Sequence, residues 1–208
     1  MATNGSNRLQ SSARRGRPRS FDRDEALFRA LSVFQKNGYE GTSMAQLVDA
    51  MGIVSPSIYA AFGSKEDLFR EAVEMYSSTM VEPIWVKLDE ITDVELAVQT
   101  MLFAFIDMFS EAGEKHGCLV MLGTSHLGQT AEGARTFLRQ QRQGFKARLA
   151  ARFERSTRDG TLAPDNDPET LAECVLAFFG GLAIESVDGT ERNVQRRTAQ
   201  LFCERFFR

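Results

Sequence analysis

Thr42 to Phe69 reads TSMAQLVDAMGIVSPSIYAAFGSKEDLF, and this stretch decides the fold. Met44, Leu47, Val48 and Met51 recur at helical spacing, and Gly52 stops that first segment because glycine enters the left-handed region without a Cβ penalty. Thr42 is its predicted cap. The next helix begins near Ser55-Pro56, where proline is tolerated because its missing N–H had no partner. Ile58 and Phe62 are four apart and face inward; Ser57, Tyr59 and Ala60 face outward. Gly63 ends this helix, and Ser64-Lys65-Glu66-Asp67 opens another with capping-type spacing. About three residues join the two short helices, the connection length of a helix-turn-helix.

Upstream, Asp22 and Glu25 have the spacing of a capping box, and Leu27, Ala30, Leu31 and Phe34 give the helix that follows one apolar face. Asn37-Gly38 is its predicted end. Further upstream lies a basic arm, Arg14-Arg15-Gly16-Arg17-Pro18-Arg19. The motif Gly38-Tyr39, Thr42-Ser43, Gly52-Ile53, Ser57-Ile58-Tyr59, Phe62, Lys65 and Leu68 resembles the TetR family of bacterial transcriptional regulators over roughly residues 14–80. Many positions match at fixed spacing, so the motif is specific. Val54 departs from it, since many members carry serine, threonine or asparagine there as a cap; Ser55 is the substitute the sequence offers.

The net charge of −3 conceals a polarity. Residues 1–70 hold 10 Lys+Arg against 7 Asp+Glu, whereas residues 71–208 hold 15 against 21. A basic head on an acidic body suits DNA binding. The expected organisation is all-α: a basic arm over 1–19, a helix-turn-helix head over 20–80 with its motif at about 42–63, and a helical ligand-binding and dimerisation body over 81–208.

A helix-turn-helix reads the major groove, which displays a distinct donor and acceptor pattern for each base pair. The hydroxyls of Ser55 and Ser57 can meet phosphates or base edges beside Pro56. Thr42 and Ser43 open the helix whose start meets the backbone in such motifs, and Lys65 joins its ammonium to the free N–H groups of a helix start. The resemblance also places Tyr59 at the DNA backbone. Arg17 lies in, and Arg19 directly follows, an Arg-Gly-Arg-Pro segment similar to an AT-hook core, which follows a narrow A·T minor groove; a solubilising tail is the alternative. Each residue taken alone is better explained as a solvated or packed surface side chain. Their joint spacing favours double-stranded operator DNA as the partner.

Beyond Tyr76 the chain stays helical, with a stop expected at about Met80, before Pro83. Apolar stripes mark Asp93 to Ala112 (including Leu96), Thr130 to Arg158, a helix opened by Asp167-Pro168, and Asn193 to Phe207. The resemblance implies a homodimer built as a four-helix interface from the last two helices, with Val175, Phe178, Phe179, Leu182, Val194 and Leu201 as candidates. Completion of the subunit's own core is the alternative. Met75, Trp85, Phe103, Met108, Cys118, Met121 and Phe137 are candidates to line a pocket for a small apolar or amphipathic effector, and ordinary core packing is the better explanation of any one of them taken singly.

No phosphate loop, dinucleotide fingerprint or nucleophile elbow is present, so no enzyme activity and no cofactor are expected. His116, Cys118 and His126 lack the spacing of a common zinc motif, and Cys118 reads as a buried cysteine or a redox sensor. Three scattered cysteines, no apolar leader, and a longest apolar run of Cys174 to Ile184 point to the cytoplasm and away from a membrane. The expected function is a ligand-released repressor; the alternative is an architectural DNA-binding or small-molecule-binding protein without operator recognition.

Overall fold

The structure, a computed structural model, describes residues 21–110, 117–123, 131–165 and 167–207. Every regular element among them is helical. The head comprises α1 (Arg23–Gly41), α2 (Met44–Met51) and α3 (Ser55–Phe62), closed by α4 (Lys65–Tyr76). Phe34, Leu47, Ile58, Leu68 and Phe69 are buried at its centre. The Phe34 and Phe69 rings meet edge to face at 5.0 Å, a favourable quadrupolar arrangement.

Asp22 caps α1, its carboxylate accepting from the N–H groups of Asp24 and Glu25 at 2.9 and 3.1 Å. The expected reciprocal bond from Glu25 is replaced by an ion pair with Arg29 at 2.5 Å. The backbone leaves helical geometry at Gly38 (φ 67°), as expected, and then recovers through Gly41.

Two caps differ from expectation. Ser43, not Thr42, caps α2: its Oγ accepts from Gln46 N, and the Gln46 side chain accepts from Ser43 N. Thr42 is buried, and its hydroxyl donates to Gly38 O at 2.7 Å. Two adjacent hydroxyl residues could each cap; the one turned inward was claimed by the broken carbonyl of α1. Val54 occupies the cap position of α3 with no side-chain bond, and Ser55 is already helical rather than the substitute cap. The Ser64–Asp67 capping box is formed on both sides. Gly63 (φ 79°) must be glycine: a Cβ there would stand 2.7 Å from Asp67 Oδ2.

Pro83 does not stop the chain. Helix α4 passes through a π-helical turn, Ser77–Val81, directly into α5 (Glu82–Glu90). Proline lacks an N–H and its ring crowds the carbonyl four residues back; a widened turn just before it accommodates both defects. Thr79 Oγ1 and Ser78 Oγ donate to Met75 O at 2.7 and 3.1 Å, adding side-chain bonds where the ladder changes register.

The body adds α6 (Val94–Ser110), α7 (Leu119–Leu122), α8 (Glu132–Arg158), α9 (Pro168–Asp188) and α10 (Arg192–Phe206). Asp93 caps α6 through Leu96 N at 2.7 Å. Leu96 itself is exposed, so it leaves the apolar stripe predicted for that helix. On α8, Ala134, Phe137, Leu138, Phe145, Leu149 and Phe153 are all buried on one face. Asp167 caps α9 and Pro168 begins it, both as expected. By length and composition α9 could cross a bilayer, but it lies between α8, α6 and α10 with Val175, Phe179 and Leu182 buried.

Candidate nucleic-acid interface

Helix α3 is anchored through Ile58 and Phe62, which are 1% and 3% exposed. The 3.6-residue period then turns Pro56, Tyr59 and Ala60 to solvent and leaves Ser55 and Ser57 half-exposed. Tyr59 is 50% exposed, an aromatic ring held out from a rooted helix. The N–H groups of Ser57 and Ile58 both donate to Val54 O, at 2.9 and 3.2 Å, and Pro56 has none. Side chains, rather than backbone amides, therefore supply most of the donors at this helix start.

Arg23 locks α3 in place, an element the sequence reading missed. Its guanidinium lies 4.4 Å over the Phe62 ring, donates to Ala61 O at 3.3 Å and pairs with Glu71 at 2.5 Å. Its sequence position, in the first turn of a helix, signals nothing; the contacts span 38 and 48 residues.

Lys65 is more structured than a solvated lysine. Its Nζ sits 4.4 Å from the centre of the Tyr39 ring, and that ring is 5.0 Å from Phe69 in the core. Burial lowers the ammonium's pKa from its usual value, and Glu40 opposes the shift. Tyr39 shifts upward, through burial and then Glu66. The pair fixes a cation at the start of α4.

Of the predicted DNA-contacting residues, Ser43, Ser55, Pro56, Ser57, Tyr59 and Lys65 are exposed or half-exposed. Thr42 is 1% exposed and drops out of any contact surface. Arg17 and Arg19 lie outside the described residues.

The body residues divide differently from expectation. Val175, Phe179 and Leu182 are buried within their own subunit and cannot form an outward face. Phe178 is half-buried, stacked on Phe202 of α10 at 4.0 Å and 5°. Val194 and Leu201 are exposed, together with Ile184 and Val187. Helix α9 is apolar nearly all round, so periodicity alone could not choose its outward side.

The seven predicted pocket residues make different contacts. Phe103 lies under the Arg196 guanidinium at 4.3 Å, and Phe137 under that of Arg70 at 5.0 Å. Met75, Met108 and Met121 are partly buried against the core. Cys118 is fully buried, and burial pushes its thiol pKa up; the Tyr76 hydroxyl donates to its Sγ at 3.8 Å. That favours a structural cysteine over a redox sensor. Of the seven, Trp85 lines a cleft of about 260 Å³ between α5 and α8. His116 and His126 lie outside the described residues, among which no cluster of three metal-ligating side chains occurs.

Comparison with known proteins places this geometry. The model of the tetR family of bacterial regulatory proteins matches residues 27–72, and that of the tetracyclin repressor-like C-terminal domain matches residues 97–201. The HTH-type transcriptional repressor ComR of Escherichia coli is 32% identical over 192 residues, covering 91% of this chain and 90% of that protein. The HTH-type transcriptional repressor BdcR of the same organism is 28% identical, covering 83% and 93%. Among solved structures, a cysteine mutant of the TetR family transcriptional regulator CifR, complexed with 26-bp double-strand operator DNA, superposes with a TM-score of 0.87. It is 36% identical and covers 91% of this chain and 99% of that one. The chain belongs to the TetR family of bacterial regulatory proteins.

Proposed function

We propose that the protein is a ligand-released transcriptional repressor that binds a palindromic operator as a homodimer. The observation that carries this is the outward face of α3, which displays Tyr59 and two serines from a helix rooted by Ile58 and Phe62. The likeness to CifR, whose structure holds operator DNA, supports it. Ser55, Ser57 and Tyr59 reach into or beside the major groove; Ser43 and Lys65, at the starts of α2 and α4, meet phosphates. The protein is a non-enzymatic regulator working in the cytoplasm, where its DNA lies. The arm over 1–19 adds minor-groove affinity, and the head passes to the body near residue 80, within the π-helical turn.

The test is selection of bound duplexes from a random pool. An inverted repeat with half-sites about 34–36 Å apart is the expected outcome. Retention without enrichment would instead favour an architectural DNA-binding protein, a reading to which the uncapped Val54 lends some support.

The subunit contact is assigned to the exposed stripe of α9 and α10. Ala177, Gly181 and Ile184 recur along one side of α9, and Val194 and Leu201 along α10. Small residues let the paired helices approach closely, and a symmetric dimer brings each stripe against its copy. Ile184→Glu places a charge where desolvation opposes it, and should give a monomeric mass by sedimentation with an unchanged helical spectrum. A dimeric Ile184→Glu variant would move the interface elsewhere.

Removing residues 1–19 deletes five arginines. Operator affinity should fall, and the slope of log K against log salt should flatten, because fewer counterions are released. An unchanged slope would leave the arm without a role on DNA.

A further inference from the structure

Val54 is the most exposed large apolar side chain among the described residues, at 64%. It stands immediately before α3, in the turn that joins the two short helices of the head. That position ordinarily carries a side-chain oxygen, which accepts a free N–H of the first helical turn. Ser43 and Ser64 do this for α2 and α4. Val54 makes no such bond; only its carbonyl serves the helix, accepting from Ser57 N and Ile58 N. The chain therefore gives up a cap and shows water an isopropyl group in its place. Single exposed apolar residues are common on protein surfaces. The setting sets this one apart. Ile53 before it packs against the core and Ile58 after it is buried, so the turn is held on both sides. A β-branched side chain also has few rotamers. Val54 is thus a stiff apolar knob beside Ser55, Pro56 and Ser57, at the end of α3 assigned to the major groove.

We propose that Val54 is a specificity-determining residue that packs on the C5-methyl group of a thymine in each operator half-site. The valine side chain has no donor and no acceptor, so it offers nothing to a phosphate or to a polar base edge. The thymine methyl is the apolar group that a base displays in the major groove. Cytosine at the same position fails twice. It lacks the methyl, and its amino donor would be covered by the isopropyl group without a partner.

The inference rests on the reading of α3 as the helix that enters the major groove. The missing cap, taken alone, counts against operator recognition. The exposed apolar surface that replaces it counts for recognition of one base.

Deoxyuridine is thymidine without that methyl and pairs in the same way, so it isolates the contact. In the duplex recovered by selection, each thymine is replaced in turn, symmetrically in both half-sites. Affinity for the full-length protein is read by fluorescence anisotropy at fixed salt. At least one replacement should weaken binding by about fourfold per half-site, or roughly 15-fold for the symmetric pair. With Val54→Ala the same replacement should cost less than about twofold, because the surface that met the methyl is gone. Val54→Ser supplies the absent cap, so its thermal midpoint should rise while its sensitivity to deoxyuridine disappears. That combination separates a lost contact from a damaged fold. If every deoxyuridine duplex binds as tightly as its parent, the proposal is overturned and operator recognition stands. A loss that persists undiminished in Val54→Ala overturns it as well, by giving the methyl to another side chain. A protein that selects no duplex removes the operator reading and this inference together.

Discussion

Arg152→Ala should lower the unfolding free energy by about 2–4 kcal/mol, read from the urea midpoint at constant slope. Arg152 is 3% exposed on the buried face of α8, and among the described residues its hydrogen bonds go to carbonyls and a hydroxyl rather than to a carboxylate. Its guanidinium instead donates to Leu88 O at 3.2 Å, Ile91 O at 2.6 Å and Thr92 O at 3.0 Å, and also to the Ser156 hydroxyl. The first of these carbonyls belongs to the last turn of α5, and the other two follow it directly. A helix end points four unpaired carbonyls and a partial negative charge at whatever lies beyond it, and Arg152 answers both. Alanine would leave the Leu88 carbonyl buried without this donor and would strip the part-buried Ile91 and Thr92 carbonyls of theirs. Lysine would restore the charge but not the planar fork that reaches three directions, so Arg152→Lys should recover less than half of the loss. Arg148 and Arg155 grip the same end of α5 through Asp89, but both are more exposed and should matter less. A loss under about 0.5 kcal/mol, the range of ordinary surface changes, would contradict this reading of the α5–α8 joint.

Tyr59→Ala should weaken operator binding by about 100-fold without a change in thermal midpoint. A hydroxyl donating to a charged phosphate is worth roughly 1.5 kcal/mol or more, and a symmetric dimer loses it twice, about 3 kcal/mol in all. Tyr59 is half-exposed, so stability should not register its removal. Tyr59→Phe should reproduce most of the loss, because the hydroxyl and not the ring is assigned to the contact. Lys65→Ala should differ in kind. It removes one cation from each subunit, lowering the salt slope by about 2, and also undoes the ammonium–ring contact with Tyr39. Full affinity in Tyr59→Ala would mean that α3 does not face the DNA as assigned.

Much of the head was legible because its signals are local. Gly52 and Gly63 end their helices, Ser64 and Asp67 reciprocate as a box, and Ile58 and Phe62 share one buried face. Misreadings arose where a particular side-chain bond, a change of helical register or tertiary packing decided. Either Thr42 or Ser43 could cap α2, and the bond from Thr42 to Gly38 O settled the choice. Pro83 reads as a stop until the π-helical turn before it is seen. Val175, Phe179 and Leu182 look like an interface because α9 is apolar almost all round; only packing on α8 and α6 shows which side is left free. Arg23 and Arg152 carry little sequence signal, since the carbonyl and carboxylate partners that give them their roles lie 38 to 64 residues away. Trp85 was picked out as a pocket residue for its type; that its indole nitrogen is buried without a partner is visible only in the fold.

The most direct measurement is fluorescence anisotropy of the full-length protein at physiological salt, comparing the duplex recovered by selection with a shuffled duplex of equal composition. A specific regulator should prefer the selected duplex by roughly 10³-fold or more. Equal affinity for both would contradict operator recognition, and with it the role assigned to the outward face of α3.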